Sequence, residues 1–306
     1  TSHLNGWLAN IKHHFVVAAI PEAEDSFSYQ ATYDEDRSLE KISAVGETTK
    51  TVFPGTTQKE EMSFYIGPKL QSKLKELRPG LERSVDYGAL SFLSKPLFWL
   101  LDKIHSFVGN WGLSIILVTF CIKLVFYRLA ESSGKSMARM RLLAPRIKAI
   151  QERFKDDKQA AGQATMELYK KEKVNPLAGC WPMLVQIPFF IAFYWVLLES
   201  VEIRQAPFFL WIQDLSSRDP YFILPILMGA GMFFQQKLNP PPPDPMQAKV
   251  MSFLPVMFTG MFAFFPSGLV LYWLTNSLLS IAQQWRLNKK FGTKTPMGSG
   301  SGGDGG

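Results

Sequence analysis

The sequence has few of the residues from which catalytic thiol sites and metal sites are usually built. Its 306 residues include only 2 cysteines and 4 histidines. Both cysteines, Cys121 and Cys180, lie inside apolar runs. They form no metal-ligand spacing and imply no disulfide framework, so we interpret them as small buried hydrophobic residues. The sequence therefore predicts no metal site and no cofactor.

Acidic residues are also missing from the long apolar stretches between residues 111 and 285. An intramembrane serine or aspartyl hydrolase would lack its base or its pair of carboxylates. Gly134-Lys135-Ser136 is similar to the end of a phosphate-binding loop, but Leu129 stands where that motif needs its first glycine. These absences argue against an enzyme and against an ATP site.

Charge is distributed unevenly along the chain. Residues 1–89 carry 10 Lys and Arg against 13 Asp and Glu, whereas residues 90–306 carry 23 against 13. A basic half usually indicates contact with nucleic acid or with an anionic membrane. Here the basic residues lie between long apolar runs, which favours the membrane and predicts no direct contact with nucleic acid.

Residues 1–88 have the pattern of a β domain. Apolar residues alternate with polar ones around Phe27 and Phe64, and glycine and proline separate the runs. Residues 70–77 fit a short helix. The chain begins at Thr1 without a signal peptide, and we expect a partial antiparallel β-sandwich domain cut from something longer.

Residues 90–108 predict an amphipathic helix. Leucines, Ile104 and Val108 form one stripe, opposed by Lys95, Asp102 and Lys103. Such a helix either lies in the membrane surface or belongs to a soluble domain; the apolar run that follows directly favours the surface.

Five apolar stretches then predict a bundle of five membrane spans over residues 89–291. The first runs over 111–129, the second between Lys173 and Glu199, and the third between Asp219 and Lys237. The stretch after Lys249 is divided into two spans by Pro266-Ser267-Gly268. A bilayer needs ~20 residues per helix, and the third and fourth spans are shorter than that.

The loop charges predict the orientation of the spans. Segment 131–175 carries 11 Lys and Arg against 6 Asp and Glu, which indicates the cytoplasm, whereas 202–219 carries 2 against 3. All loops agree on an N-terminus outside and a C-terminus inside. The fold class is therefore a polytopic α-helical membrane protein with a periplasmic β domain.

Segment 131–175 also predicts a cytoplasmic helical hairpin of coiled-coil type, with a turn at Asp156-Asp157. Its candidate recruitment residues are Met137, Arg139, Arg141, Arg146, Asp156 and Asp157. Residues 292–306 have the composition of a flexible tail or an added linker.

Lys123 is the most unusual residue of the first span, because it places a charge in an apolar stretch. A lysine at mid-span costs ~2.5–3.5 kcal/mol on insertion scales. The side chain either extends to the cytoplasmic interface near Arg128 or points into the bundle. Thr119 lies one turn earlier on the same face, which favours a polar stripe.

Other spans carry polar or soft side chains. Gln186 in the second span is interpreted either as a helix–helix contact or as part of a site. Trp273, Asn276, Ser277 and Ser280 form a polar stripe on the last span. Methionines of the second, third and fourth spans fit either an adaptable contact surface or ordinary core packing. The candidate substrate contacts are Pro182, Met183, Pro188, Met257 and Met261.

Several long stretches resemble the YidC/Oxa/Alb insertase family, and its bacterial members in particular. The likeness covers most of residues 5–290, in order and with similar spacing. The matching stretches are Trp7 to Phe15, HSFVGNWG (105–112), SMARMRLL (136–143), EKVNPLAGC (172–180), EIRQAPF (202–208), DPYFILPILM (219–228), DPMQ (244–247) and PSGLVLY (266–272).

This resemblance implies a hydrophilic groove that is open to the cytoplasm and to lipid and closed outward. Lys123 stands where bacterial members usually have Arg, Thr119 and Gln186 match groove positions, and Trp273 replaces a usual Tyr. The resemblance also implies an N-terminal span ahead of this chain, a hairpin used for recruitment, and a shortened basic tail. Implied partners are nascent membrane proteins, the Sec translocon, the ribosome, the signal-recognition machinery and the lipid bilayer.

The function predicted on this basis is insertion of membrane proteins into the bacterial inner membrane, alone or with the translocon. Asn276 is counted among the groove residues, and water and Lys123 in the groove would lower the desolvation cost of a substrate's polar tail. Two other classes stay open from the residues alone. They are a small-solute transporter, which usually has an internal repeat that is not seen here, and an assembly partner without a groove.

Overall fold

The computed structural model describes residues 2–4, 6–21, 26–35, 39–47, 51–59, 61–155, 157–172, 181–238 and 245–290. Contacts divide the chain into two compact units. The first, here the β unit, comprises Thr1–Ser91 with Leu198–Glu202. The second, here the helical unit, comprises Phe92–Leu197 with Ile203–Gly306.

The β unit contains two three-stranded antiparallel sheets, with strand orders β1-β4-β5 and β2-β3-β6 among the described residues. The strands are β1 (Ser2–Leu4), β2 (Leu8–Ile11), β3 (Phe15–Pro21), β4 (Ser26–Asp34), β5 (Leu39–Gly46) and β6 (Met62–Pro68). Helix α1 (Gln71–Leu77) follows, close to the predicted 70–77, and short 3-10 helices lie at Leu81–Ser84, Gly88–Leu90 and Val201–Ile203.

Strand β3 has the two-residue period expected of a half-buried strand. Val16, Ala18 and Ile20 are buried, whereas Phe15 and Val17 are exposed. Leu74, Leu81, Val85 and Tyr87 of the same unit are buried as well. The antiparallel arrangement expected for residues 1–88 is therefore present in the described strands.

The helical unit is built from eight helices among the described residues. They are α2 (Ser91–Val108), α3 (Trp111–Val125), α4 (Tyr127–Arg153), α5 (Lys158–Lys171), α6 (Trp181–Glu199), α7 (Ile223–Leu238), α8 (Pro245–Phe262) and α9 (Ser267–Lys290). Helix α9 packs against α3, α4 and α7, and α7 also packs against α8. Helix α9 is thus the central element of the unit.

The predicted first span, 111–129, is interrupted. Helix α3 ends at Val125, Phe126 leaves the helical conformation, and α4 continues at an angle of 60°. The first helix of the hairpin consequently begins at Tyr127 rather than at 131. An apolar run defines where a chain avoids water but not where its axis bends, so the bend lies a few residues before the predicted start of the hairpin segment.

Length and hydropathy can be tested on these helices directly. Within the described ranges, no single helix is both long and apolar enough for a span. Helix α3 with the Tyr127–Ser136 part of α4 passes as a bent pair, and Leu184–Glu199 and Lys249–Phe262 are shorter apolar stretches.

Candidate functional site

The ammonium group of Lys123 is directed at helix α9. Lys123 is half-buried on α3, and its Nζ donates a hydrogen bond of 2.7 Å to the Ser280 hydroxyl. That hydroxyl donates in turn to the Asn276 carbonyl, also at 2.7 Å. At a rise of 1.5 Å per residue, Ser280 lies about 20 Å along α9 from its start at Ser267. The amine therefore lies between α3 and α9, well away from either end of α9.

This cation has no anionic neighbour in the described part of the chain. The ion pairs of the helical unit there join Arg146 to Glu172 and Lys290 to Glu131, and neither involves Lys123. A buried cation without a counter-ion is costly unless hydrogen-bond acceptors or water surround it. The local environment is thus suited to attract acceptor groups.

The other predicted groove residues lie on the same helices but do not all contact the amine. Thr119 is 1% exposed, and its hydroxyl donates to the Ile115 carbonyl of its own helix at 2.6 Å. Asn276 is buried and supplies the carbonyl that accepts from Ser280. Gln186 on α6 lies close to the Tyr272 hydroxyl of α9. The structure therefore joins α3 to α9 and α6 to α9 through separate polar contacts.

Trp273 belongs to an aromatic cluster rather than to the hydrogen-bonded group. Its ring centroid lies 4.8 Å from Phe190 on α6, 5.4 Å from Phe262 and 6.2 Å from Phe258, both on α8. Edge-on and tilted arrangements of this kind stabilise contacts beyond simple burial. The cluster holds α6, α8 and α9 together next to the polar contacts.

Two participants were not singled out as site residues by the sequence. Ser280 was recognised as a member of the polar stripe, one turn after Asn276, but not as the partner of Lys123. Tyr272 lies in an apolar run, and its position next to Trp273 was the only feature of the sequence that suggested a buried hydroxyl. No sequence signal pairs residues so far apart, because the Lys123–Ser280 contact spans 157 positions.

The predicted substrate-contact residues are partly described. Met257 and Met261 on α8 are 46% and 42% exposed, and Pro188 on α6 is exposed as well. The side chains of Pro182 and Met183 lie outside the described part of the chain. The exposed methionines fit an apolar outer surface of α8 better than core packing.

One end of the bundle is closed by an interlocked loop, here called the loop cap (residues 203–222). The Asp219 carboxylate, 1% exposed, accepts from the Trp211 indole, from the Tyr221 amide and from the Leu224 amide at 2.7–3.0 Å. Asp214 accepts from Gln205, Ser216 and Ser217. These two carboxylates organise most of the loop.

The loop cap is also joined to the neighbouring helix ends. At the start of α9, the Ser267 amide donates to the Ser217 carbonyl at 2.7 Å, and the Gly268 amide donates to the Leu215 carbonyl at 2.9 Å. Asn110, which caps α3, donates to the Phe208 carbonyl at 3.1 Å. The end of the bundle near α3 and α9 is thus closed by backbone as well as by side chains.

The predicted recruitment hairpin is formed by α4 and α5. Leu143 and Ile147 form its small core, with Met140, Leu168 and Tyr169 packed against them. Arg146 pairs with Glu172 at 2.6 Å on its exposed surface, Arg139 is exposed, and Asp157 caps α5. The side chains of Met137 and Arg141, together with Asp156 and Cys180, lie outside the described residues.

Comparison with known proteins places these units in a family. The family model of the 60Kd inner membrane protein matches residues 103–294, and that of the YidC periplasmic domain matches residues 1–100. Proteins named membrane protein insertase YidC from Francisella tularensis subsp. novicida (strain U112) and subsp. tularensis (strain WY96-3418) are each 57% identical over 286 residues. That match covers 94% of this chain and 51% of the relatives, so the chain spans about half their length.

A solved structure is similar in fold. It is described as an active YidC insertase with its first transmembrane domain resolved, and it superimposes with a TM-score of 0.59 at 22% identity. The match covers 91% of this chain and 63% of the other. Because the family models match both units, this chain belongs to the YidC family of 60Kd inner membrane proteins, which are helical membrane proteins with a periplasmic domain.

Proposed function

We propose that the chain acts as a membrane protein insertase in the bacterial inner membrane, without catalysing a chemical reaction. The observation that carries the proposal is the inward-facing amine of Lys123, which donates to Ser280 and has no carboxylate partner among the described residues. Such a group provides a positive charge and hydrogen-bond donors among apolar helices. The proposed function agrees with the name of the relatives that are 57% identical.

The proposed spans are α3, α6, α7, α8 and α9, with α2 lying in the membrane surface. The loop cap then faces the periplasm, and the α4–α5 hairpin and the end of α9 face the cytoplasm. Support comes from the excess of Lys and Arg in segment 131–175 and from the basic end of α9. The β unit would be periplasmic, on the same side as the loop cap.

A groove closed on one side follows from this orientation. The loop cap, with Asp214 and Asp219 bound internally, would seal the periplasmic end, while the Lys123 region would stay open to the cytoplasm. A substrate's short polar tail would enter from the cytoplasm, and its acidic groups would interact with Lys123. The desolvation cost of the tail would fall because the groove replaces part of its hydration.

The apolar segment of the substrate would move past α6 and α8 into lipid. Both helices carry exposed apolar side chains in the described residues, namely Leu184, Ile187, Ile191, Phe253, Val256, Met257 and Met261. Transfer of apolar side chains into lipid supplies the driving force, and the membrane potential adds ~2.3 kcal/mol per charge per 100 mV. Soft methionine side chains suit partners of many shapes.

The exposed surface of the hairpin is the proposed contact for targeting partners. The Sec translocon, the ribosome and the signal-recognition machinery are the partners that the family resemblance suggests. Support from the structure is limited to the exposed arginines on α4, including Arg139 and Arg146.

The test uses the chain in proteoliposomes with a single-span substrate whose translocated tail carries two aspartates. We expect Lys123→Ala to lower insertion of this substrate severalfold and Lys123→Arg to preserve it, because Arg retains the charge. Protease protection of the tail measures insertion. Lys249→Ala, which removes an exposed lysine from α8, is the control for general loss of positive charge.

Insertion by Lys123→Ala at the wild-type level would remove Lys123 from the mechanism. Photocrosslinks from α6 and α8 to the nascent substrate would distinguish an insertase from an assembly partner that never contacts the inserting segment.

A further inference from the structure

One face of helix α9 lies against both α3 and α4. Ser280 on this face bonds Lys123 of α3, and Leu287 lies against Gly134 of α4, where an added Cβ would meet Leu287 at 2.7 Å. Gln283 stands three residues after Ser280 and four before Leu287. Residues at these spacings share one side of a helix, so Gln283 lies between the two contacts and faces the α3–α4 border.

The amide nitrogen of Gln283 is buried in this border and has no hydrogen-bond partner among the described residues. A buried donor left without an acceptor destabilises the fold, because it has lost its hydrogen bonds to water. Native structures rarely retain such a group without a reason, and a binding role is one such reason. The neighbouring Gln284 differs, because its amide donates to Asn288 at 3.1 Å.

Lys123 contributes further donors to the same border. An ammonium group has three N–H donors, and the described contacts of Lys123 use one of them, toward Ser280. Glu131, the nearest acidic residue along α4, is already paired with Lys290. The border therefore presents at least two kinds of donor, the Gln283 amide and the Lys123 ammonium, with N–H groups that the described hydrogen bonds do not use.

We infer that Gln283 and Lys123 form a two-donor site that binds one carboxylate of the inserting segment's polar tail. The inference rests on the proposed insertase function and adds a specificity residue to it. A carboxylate fits because its two oxygens can accept from the ammonium and from the amide at the same time. Gln283 thereby distinguishes an acidic side chain of the substrate from an amide side chain of equal size. The amide has only one acceptor atom, whereas the carboxylate has two.

Gln283→Glu tests the site most directly. The introduced carboxylate stands about one turn after Ser280, the residue that Lys123 contacts, and we expect it to pair with the ammonium group and so to compete with the substrate. Gln284→Glu makes the same change at the next position, outside the site, and is the matched control. Gln283→Leu removes the donor at nearly constant volume, and thermal unfolding of each variant checks that it folds.

The chain is reconstituted in phosphatidylethanolamine–phosphatidylglycerol vesicles with two single-span probes. One probe carries two Asp in its tail, and the other carries two Asn. We expect Gln283→Glu to lower the ratio of Asp-tail to Asn-tail insertion about tenfold, equivalent to ~1.4 kcal/mol, Gln283→Leu to lower it less, and Gln284→Glu to leave it unchanged. In a Lys123→Ala background, Gln283→Glu should no longer change the ratio.

Equal ratios for Gln283→Glu and Gln284→Glu would overturn the two-donor site while leaving the insertase intact, because the wild-type chain would still insert both probes. A wild-type chain that inserts neither probe would instead contradict the proposed function. The two failures are thus distinguishable in one assay.

Discussion

At the scale of single residues, buried carboxylates organise the loop cap. Asp219 is almost fully buried and accepts three hydrogen bonds, one of them from the amide of Leu224 in the first turn of α7. If an amide nitrogen replaced one carboxylate oxygen of Asp219, its N–H groups would face an N–H donor of the protein. The free energy of unfolding would then fall by roughly 1–3 kcal/mol. This carboxylate therefore holds the loop against the start of α7.

Asp214 gives the loop cap a pH dependence. Partial burial by itself raises the pKa of this carboxyl, but hydrogen bonds from Ser216, Ser217 and Gln205 outweigh it and hold the pKa below the ordinary value of 3.8. A carboxyl with a lowered pKa stabilises the fold above its unfolded pKa and loses that contribution as pH falls through its folded pKa. The loop cap should therefore lose stability below about pH 4.

The corresponding prediction concerns Asp214→Asn. We expect this variant to be less stable at pH 7 by about 1 kcal/mol and to show a flatter stability profile between pH 5 and 3, a window set by the carboxyl's own titration. Hydrogen exchange of the amides of Gln205 and Ser216 in detergent measures the effect. Asp102→Asn, at an exposed position of α2, is the control, and an equally steep acid profile in Asp214→Asn would contradict the assignment.

At the scale of elements, small residues on α7 permit its close packing. Gly229 faces Thr259 of α8, whose hydroxyl would lie 1.9 Å from an added Cβ. Thr259 cannot move freely, because its hydroxyl donates to the Pro255 carbonyl at 2.7 Å. Gly231, two residues later, faces Ser277 of α9 at an ordinary 3.6 Å. An added methyl group would therefore clash at Gly229 but would fit at Gly231.

These glycines form a matched pair for a stability test. Gly229→Ala should overpack the α7–α8 contact and lower stability by ~1–3 kcal/mol. Gly231→Ala should be neutral or stabilising by up to ~1 kcal/mol, because alanine is the better helix former. Thermal unfolding in a mild detergent compares the two, and an equal loss for both would contradict the packing argument.

Element boundaries show where pattern reading loses precision. The predicted interfacial helix 90–108 and the hairpin of 131–175 correspond to α2 and to α4–α5, but the break at Phe126 was not foreseen. The residues at the break itself, Val125, Phe126 and Tyr127, are apolar or aromatic, so hydropathy does not mark the position of the bend. On either side of the bend, α3 and α4 each pack against α9, and no local pattern records such contacts.

At the scale of the whole molecule, the chain combines a β unit and a helical unit that match two family models. The β unit and the loop cap are proposed to lie on one side of the membrane, and the hairpin on the other. The charges of the connecting segments are the main support.

Cysteine labelling tests this topology. After Cys121→Ala and Cys180→Ala, an impermeant maleimide should label Gln213→Cys in intact spheroplasts. It should label Glu152→Cys, on the hairpin, only after lysis. Both positions lie in described segments, Gln213 in the loop cap and Glu152 in α4. Labelling of Glu152→Cys from outside would reverse the proposed orientation.

The sequence by itself determined which segments are apolar helices and which of them carry polar stripes, because these depend on local periodicity. The tertiary structure alone decided that Lys123 meets Ser280, that Trp273 joins an aromatic cluster and that Gln283 stays without an acceptor in the described residues. Such pairings depend on distances between helices that are remote in sequence, and a single sequence does not encode those distances in any local pattern.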